Sequence, residues 1–235
     1  MENCCIFAQI SIKNLQINMD MTVDELIAIE KKYREDHRTF HLVRVNGESM
    51  PDNFDDDIRF LNDGLIEKHK FIKPKRKRKL AEKGLSEFEM LMLNCFLGGL
   101  PHAFKWSSYA DKKSPIPEMC EGLDSVLDKS PTYDEGGKLY RFCTRDDEVF
   151  FEEGQIHTFP HYLNTTKDNN LRDDNHMYII TPKKECTNAR SIYKLQNHGN
   201  EKQITFKRDS IFKITKVESN KTKDGEYKRI YMEEI

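Results

Sequence analysis

The stretch "GNEKQITFKRDSIFKI", residues 199–214, decides how this chain is interpreted. Two short apolar runs, QITF and IFKI, flank a charged turn, which is the pattern of two consecutive β-strands. Glu201 and Gln203 stand two residues apart at the entrance to the first strand. Such a pair is either an ordinary polar turn or the edge of an active site that lacks one carboxylate.

The same strand pattern continues on both sides of this stretch. From about residue 138 onward, short β-like runs alternate with turn residues. These runs are KLYRFC, GQIHTF, MYIIT, RSIYKL, QITF, IFKITKV and KRIYME. We therefore expect a sheet that occupies most of the C-terminal half.

Two helices are predicted before the strands. Ser86 and Glu89 form a capping box, and Gly98-Gly99 ends the helix that follows. The second helix lies in PIPEMCEGLDSVLDK (115–129), where apolar residues recur at helical spacing behind two prolines. Helices followed by strands predict an α+β fold in which these helices cover an antiparallel-rich sheet.

A basic run, KFIKPKRKRKLAEKG (70–84), precedes these helices. Its charges are Lys73, Lys75, Arg76, Lys77, Arg78 and Lys79, around Pro74. Such density can follow a phosphate backbone, and it is also typical of a solvated connector that repels itself. We treat the run first as a boundary, with a basic linker at 66–84 between an element at 1–65 and a domain at 85–235.

The first 65 residues carry signals of their own. Thr22 and Glu25 form a capping box that predicts a helix over 21–38. Apolar alternation in CIFAQISI (5–12) and FHLVRV (40–45) predicts short strands. We therefore expect a small N-terminal α+β element, to which no motif assigns a role.

Composition limits the classes of protein. The 235 residues are 37% hydrophobic and 33% charged, which suffices for one large globular domain. The sequence contains no long apolar run, and MENCCIFAQI does not have the features of a signal peptide, so we expect a soluble cytoplasmic protein with no membrane partner. The six cysteines lack CxxC or zinc-site spacing, which indicates free, mostly buried thiols and no metal. With a formal net charge of −2, attraction to nucleic acid would require a local patch.

Three polar features stand at strand edges in the β-rich half: Arg141 in KLYRFC, Asn164-Thr165-Thr166 in TFPHYLNTTKD, and Glu201 with Gln203. Taken singly, they are typical of a surface cation, a turn and a strand entrance. Taken in order, they resemble the arginine, Ser-Thr-Ser and Glu-x-Glu motifs of the mono-ADP-ribosyltransferase family, in its toxin-like branch.

The resemblance spans roughly residues 85–235 and extends beyond the three motifs. LDSVLDKSPTYDEGGKLYR resembles the helix and turn that lead into the family's arginine strand. GQIHTFPHYLNTTKD resembles the segment that carries Ser-Thr-Ser, and ITFKRDSIFKITKV resembles the two strands after Glu-x-Glu. The fold implied is an ADP-ribosyltransferase-like split β-sandwich with N-terminal helices.

The resemblance also implies roles for individual residues. NAD⁺ would be the substrate, and Arg141 would bind its pyrophosphate, because a guanidinium matches phosphate oxygens in a bidentate manner. Asn164, Thr165 and Thr166 would brace the catalytic residue and the NAD-binding strand, since amide and hydroxyl groups keep the hydrogen-bonding capacity of serine. Glu201 would engage the acceptor. Breaking the bond between nicotinamide and ribose develops positive charge on the sugar, which a fixed carboxylate stabilises.

Gln203 departs from the family pattern at the catalytic position. Glutamine can bond to a ribose hydroxyl but supplies no negative charge, so activity should be weak. Three explanations remain open: a glutamate deliberately silenced by an isosteric change, a family variant that tolerates glutamine, or catalysis by Glu201. The preserved shape of the side chain favours the first.

The sequence thus predicts a toxin-like enzyme that transfers ADP-ribose from NAD⁺ to a macromolecular acceptor. A glutamate at position 201 resembles the arginine-modifying branch, whereas the basic run keeps RNA or DNA as an option for the acceptor. A toxic enzyme would need a neutralising antitoxin protein. Two alternatives are a catalytically inactive NAD-binding module that binds a partner, and a nucleic-acid-binding protein that uses the basic arm.

Overall fold

The computed structural model describes residues 21–36, 65–98, 101–107, 116–143, 147–169, 176–196, 202–223 and 225–235. The helices in these ranges are α1 (Val23–Asp36), α2 (Leu65–His69), α3 (Pro74–Ala81), α4 (Glu87–Leu97), α5 (Pro101–Ser107) and α6 (Pro117–Lys129). The strands are β1 (Leu139–Phe142), β2 (Ile156–Phe159), β3 (Leu163–Thr165), β4 (Met177–Thr181), β5 (Ala189–Arg190), β6 (Ile204–Phe206), β7 (Ser210–Thr222) and β8 (Gly225–Glu234).

The strands form two sheets. One has five strands in the order β1-β4-β8-β7-β2, and the other has three in the order β3-β6-β5. Only the β4–β8 pair is parallel among the described strand neighbours. Backbone hydrogen bonds of 2.8 Å in both directions join Tyr140 of β1 to Thr166 just after β3, and so connect the two sheets. The expected α+β fold with an antiparallel-rich split sandwich is confirmed.

The apolar residues form two clusters. One lies among the helices and includes Leu26, Ile66, Leu80, Leu91, Phe96, Phe104 and Leu123. The other lies between the sheets and includes Leu139, Phe159, Tyr178, Ile204, Phe206, Phe212 and Ile230. Tyr162, immediately before β3, belongs to the helical cluster, so the chain passes from one core to the other there.

Both predicted capping boxes are present. Thr22 and Glu25 bond reciprocally at the start of α1, and Ser86 and Glu89 do so at the start of α4. Glu89 is fully buried and also binds Lys129 of α6 at 2.7 Å. The cap therefore fixes the packing of α4 on α6 as well as the start of a helix.

The basic run is helical where a solvated connector was expected. Pro74 occupies the first turn of α3, where its missing N–H costs nothing, and lysine and arginine are good helix formers. Leu80 is 1% exposed and anchors the helix in the same cluster as Leu26 and Ile66. A division of the chain near residue 65 or 84 would cut through this cluster, and the three-part domain organisation stays a prediction.

The remaining predictions concern one predicted strand, the cysteines, the N-terminal strands and membrane-spanning helices. The RSIYKL run (190–195) contributes Arg190 to the short strand β5 and then forms a 3-10 helix at Ile192–Lys194, because Ile192 packs in the helical cluster. Among the described cysteines, Cys95 and Cys120 are buried, Cys143 is partly buried and Cys186 is exposed. The strands predicted at 5–12 and 40–45 lie outside the described residues. Within the described ranges, the helices are too short or too polar to cross a membrane.

Candidate active site

Arg141 lies on β1, the edge strand of the larger sheet, beside the junction with the smaller one. Its Nη1 donates a hydrogen bond of 3.1 Å to the backbone carbonyl oxygen of Asn164 on β3. Its side chain is 16% exposed. Two strands from different sheets thus bring the predicted arginine and the predicted asparagine into contact.

A buried carboxylate holds the guanidinium of Arg141. Nη2 lies 2.9 and 2.8 Å from the two carboxylate oxygens of Asp147, whose side chain is 2% exposed. Lys105 of α5 shares this carboxylate at 3.2 Å. Burial alone would lower the pKa of Arg141, but the adjacent charge of Asp147 outweighs burial and raises it. Nε of Arg141 is buried and has no hydrogen-bond partner among the described residues.

A chain of hydrogen bonds continues from Asn164 to Gln203. Asn164 on β3 faces Thr205 on β6, and the Thr205 hydroxyl donates to Asn164 Oδ1 at 2.8 Å. Gln203 Nε2 donates in turn to Thr205 Oγ1 at 3.4 Å. Arg141 and Gln203, 62 positions apart in the sequence, are therefore linked through two intervening residues, Asn164 and Thr205.

The two threonines after Asn164 brace the backbone. Thr165 is buried and its hydroxyl donates to the carbonyl oxygen of Ile204 at 2.7 Å, which fixes the first residue of β6. Thr166 pairs with Tyr140 through the backbone, and its hydroxyl accepts a bond from the N–H of Asp168 at 3.1 Å. These contacts hold β1, β3 and β6 at fixed separations.

The backbone at Gln203 is held from the opposite side. The N–H of Tyr193, in the 3-10 helix, donates to the carbonyl oxygen of Gln203 at 3.2 Å. Lys202 has a positive φ of 45°, so the chain turns sharply as it enters β6. Glu201, the residue predicted to engage the acceptor, lies outside the described residues.

Glu135 connects the loop before β1 to both flanks of this site. Its carboxylate accepts hydrogen bonds from Lys167, just after β3, and from the hydroxyl of Tyr193. Lys194 approaches it at 3.3 Å. The hydrogen bond from Lys167 is the main reason that the pKa of Glu135 falls to about 2. Glu135 thus stays ionised and ties three segments together.

His161 lies behind the arginine, next to Tyr162. It is 4% exposed, and its Nδ1 lies 2.9 Å from the Tyr162 carbonyl oxygen, so Nδ1–H donates in the neutral ring. Burial is the main cause that lowers the pKa of His161 to about 4, and the nearby cations Lys105 and Arg141 add to it. At neutral pH it is therefore an uncharged packing residue.

Sequence reasoning did not identify Asp147, Lys105 or Thr205. Thr205 did carry a signal, because side chains two apart on a strand share a face and Gln203 was already a candidate. Asp147 carried none, since its contact with the guanidinium belongs to the tertiary structure and follows from no local pattern. Among the described residues, no group of histidine, cysteine and carboxylate side chains could hold a metal ion.

Comparison with known proteins yields structural matches only. No protein-family model matches the chain, and no curated protein sequence does. The type III effector XopAI from Xanthomonas axonopodis pv. citri superposes with a TM-score of 0.54 at 13% identity, covering 92% of this chain and 95% of its own. Exoenzyme S from Pseudomonas aeruginosa, in its complex with human 14-3-3 protein beta and carba-NAD, gives 0.51 at 16% identity over 74% and 88%.

A third structure is the C3larvin toxin of Paenibacillus larvae, an ADP-ribosyltransferase, at a TM-score of 0.48 and 17% identity over 66% of this chain and 98% of its own. At such identities, structural similarity establishes a fold, and here it rests on the two matches with TM-scores above 0.5. The chain has the ADP-ribosyltransferase fold.

Proposed function

We propose that this protein binds NAD⁺ at the Arg141–Gln203 site and transfers ADP-ribose to a macromolecular acceptor. The observation that carries the proposal is the continuous hydrogen-bonded path from Arg141 through Asn164 and Thr205 to Gln203. It joins the three sequence motifs in one place, within a fold that Exoenzyme S, bound to carba-NAD, also adopts.

The residues of the site fit a dinucleotide. Arg141 is permanently charged, and its Nε is a buried donor that the described residues leave without an acceptor. An oxygen of the pyrophosphate would satisfy that donor, and Asp147 would hold the guanidinium in place from behind. Thr165 and Thr166 fix the strands around the sugar.

The reaction needs no metal in its balance. The bond between the anomeric carbon of the ribose and the nicotinamide nitrogen breaks, and its electron pair leaves with nicotinamide. A nucleophilic atom of the acceptor forms the new bond to the anomeric carbon and loses a proton, for which Glu201 is the proposed base. Positive charge develops on the sugar in between, next to residue 203.

Gln203 limits the rate of this reaction, since its amide cannot balance that charge. The hydrogen-bonded path would also accept a carboxylate at position 203. If the amide of Asn164 turns over, Nδ2 donates to Thr205 Oγ1, and the proton of Thr205 becomes available to the carboxylate. This compatibility favours a glutamate silenced by an isosteric change over a site built for glutamine.

The acceptor is a protein side chain or a nucleic acid. Glu201 resembles the arginine-modifying branch, and the basic helix α3 favours RNA or DNA. We extend the proposal to a toxin that acts in the cytoplasm and is held in check by an antitoxin protein, as a harmful enzyme in its own cell requires.

The Gln203→Glu protein tests this function. Nicotinamide release from labelled NAD⁺ should rise by roughly 10²–10³-fold, the usual effect of one electrostatic stabiliser. Gln155→Glu is the matched control, because Gln155 is a half-buried glutamine before β2 in the other sheet. Equal rates for Gln203→Glu and the unchanged chain would contradict the proposed catalytic position.

Separated protein and RNA fractions from the same incubation identify the acceptor class. Labelled ADP-ribose in the protein fraction or in the RNA fraction assigns the acceptor to that class. A second candidate function, a catalytically inactive module, rests on Gln203 itself. It predicts that NAD⁺ binds without turnover even after glutamate is introduced at position 203.

A further inference from the structure

The strongest charge asymmetry of the molecule lies in and around α3. Between residues 67 and 83 the chain has nine lysines and arginines and two glutamates, whereas its overall formal charge is −2. Within the described part of the chain, Lys73, Lys75 and Lys79 are exposed and make no ion pair. The fold thus collects unneutralised positive charge on one short segment.

A groove of about 400 Å³ opens beside this segment, between it and helices α1 and α4. Its size falls in the usual range for small-molecule sites, about 300–1,000 Å³. Lys70, Lys73 and Lys77 line it, and Glu87, which pairs with Lys77, is the one carboxylate of the lining. Met90 and Leu91 of α4 supply an apolar floor.

Phe71 stands at this groove with its ring in solvent. It is 82% exposed, and Lys70 Nζ lies 5.2 Å from the ring centroid. Over the described residues 65–98, it is the one exposed large apolar side chain. An exposed aromatic ring surrounded by lysines is suited to bind single-stranded nucleic acid, because bases stack on the ring while phosphates contact the cations.

We infer that this groove, with Phe71 and the lysines of α3, is a binding site for single-stranded nucleic acid. A duplex would offer phosphates but no unstacked base for Phe71. Insertion into an anionic membrane would use a broad apolar face, and a single exposed phenylalanine does not provide one. The groove offers a contact to both parts of a single strand, the ring of Phe71 to the bases and the lysines to the phosphates.

The far end of the basic segment touches the candidate active site. Lys83 Nζ donates to the carbonyl oxygens of Lys194 and of Leu195, the latter at 3.2 Å. These residues follow Tyr193, which holds Gln203. Since α3 is eight residues and about 12 Å long, a strand bound along it would run from the groove towards that segment. The idea that the bound nucleic acid accepts ADP-ribose rests on the proposed function, whereas the binding of nucleic acid in the groove does not.

Fluorescence anisotropy without NAD⁺ tests the site, with labelled oligothymidylate and oligouridylate of about 12 nucleotides. Phe71→Ala should weaken binding about tenfold, and Phe71→Trp should retain it. Phe150→Ala is the matched control, because Phe150 is 79% exposed and also has a lysine over its ring, at 4.4 Å. Its affinity should equal that of the unchanged protein.

A salt titration tests the lysines separately. For a single strand, each phosphate contact contributes about 0.7 to the slope of log affinity against log salt, so Lys73→Ala/Lys77→Ala should lower that slope by about 1.4. Lys184→Ala/Lys221→Ala removes the same charge from exposed positions elsewhere and should leave the slope unchanged. Circular dichroism confirms that each variant is folded.

Several results would overturn the inference: no oligonucleotide binding, an equal loss in the groove and control variants, or groove-dependent binding to phosphatidylserine vesicles or to duplex instead. Because NAD⁺ is absent, these outcomes are distinct from failure of the proposed transferase, which would appear only in the nicotinamide-release assay.

Discussion

Asp147 holds Arg141 through hydrogen bonds of 2.8 and 2.9 Å in a setting where the carboxylate is 2% exposed. The two residues are six positions apart in the sequence, and Asp147 lies outside β1. A buried guanidinium that loses its carboxylate keeps its charge and pays the full desolvation cost. The first prediction follows from this pair.

Asp147→Ala should lower the free energy of unfolding by about 3–5 kcal/mol, because it leaves Arg141 buried without a counter-charge. Urea denaturation followed by circular dichroism measures this change. Glu148→Gln is the neighbouring control: its side chain is 51% exposed and faces His157, so the effect should stay within about 1 kcal/mol. Similar values for both variants would show that the Arg141–Asp147 pair is energetically unimportant.

Thr205→Val should uncouple Gln203 from Asn164 while keeping the shape of the side chain. Thr205 is fully buried, so Asn164 Oδ1 loses its donor and stability should fall by about 1–3 kcal/mol. In the Gln203→Glu background, the rate of nicotinamide release should fall as well.

Thr215→Val provides the comparison for that experiment. Thr215 is exposed and donates a weak bond of 3.3 Å to the Tyr231 carbonyl oxygen, so its replacement should change stability by less than about 0.5 kcal/mol. If Thr205→Val changed neither the free energy of unfolding nor the rate of nicotinamide release, the hydrogen bonds from Asn164 to Gln203 would have no role in the reaction.

His161 should make stability fall with acid. Its pKa drops from 6.5 to about 4 on folding, mainly because of burial. Between these two pH values, the histidine is protonated in the unfolded chain and neutral in the folded chain. The contribution of His161 to the free energy of unfolding is therefore fully present above pH 6.5. It declines as pH falls from 6.5 towards 4, by about 3 kcal/mol in total.

Urea denaturation at several pH values checks this sign. Lys105, Arg141 and Asp147 are the charged groups that interact with His161. His161→Asn should flatten the pH dependence relative to the unchanged chain, while the remaining histidines contribute equally to both proteins. An unchanged slope would contradict the assignment of this effect to His161.

Lys83→Met should loosen the segment that leads to Gln203. The substitution removes the hydrogen bonds to the carbonyl oxygens of Lys194 and Leu195 but keeps an unbranched apolar stem. Amide hydrogen exchange over residues 193–203 should accelerate about 2- to 10-fold, with little change in global stability. Lys138→Met, which removes an exposed lysine 5.4 Å from the Tyr231 ring centroid, should leave that exchange unchanged.

Much of the secondary structure could be predicted from local chemistry. The capping boxes at Thr22 and Ser86 mark real helix starts, because the bonds that satisfy the first free amides form within four residues. The helical turn of α3 was missed for the opposite reason. Charge repulsion along the run favoured a connector, but burial of Leu80 against α4 overrides it.

The candidate site divides in the same way. The order of the motifs along the chain sufficed to propose that Arg141, Asn164 and Gln203 act together, and to recognise a missing charge at position 203. Asp147 could not be predicted, since no local pattern pairs its side chain with Arg141.

The sequence by itself determined the helices α1, α4 and α6 and most of the strands, since periodicity and capping act over a few residues. It also places an amide, Gln203, at the position where the family resemblance predicts a catalytic carboxylate. Only the tertiary structure decided which side chains touch: pairing of β3 with β6 and bridging of β1 to β3 bring Arg141 and Gln203 to one place. Such contacts depend on strand register across two sheets, and register is fixed by packing of both cores at once.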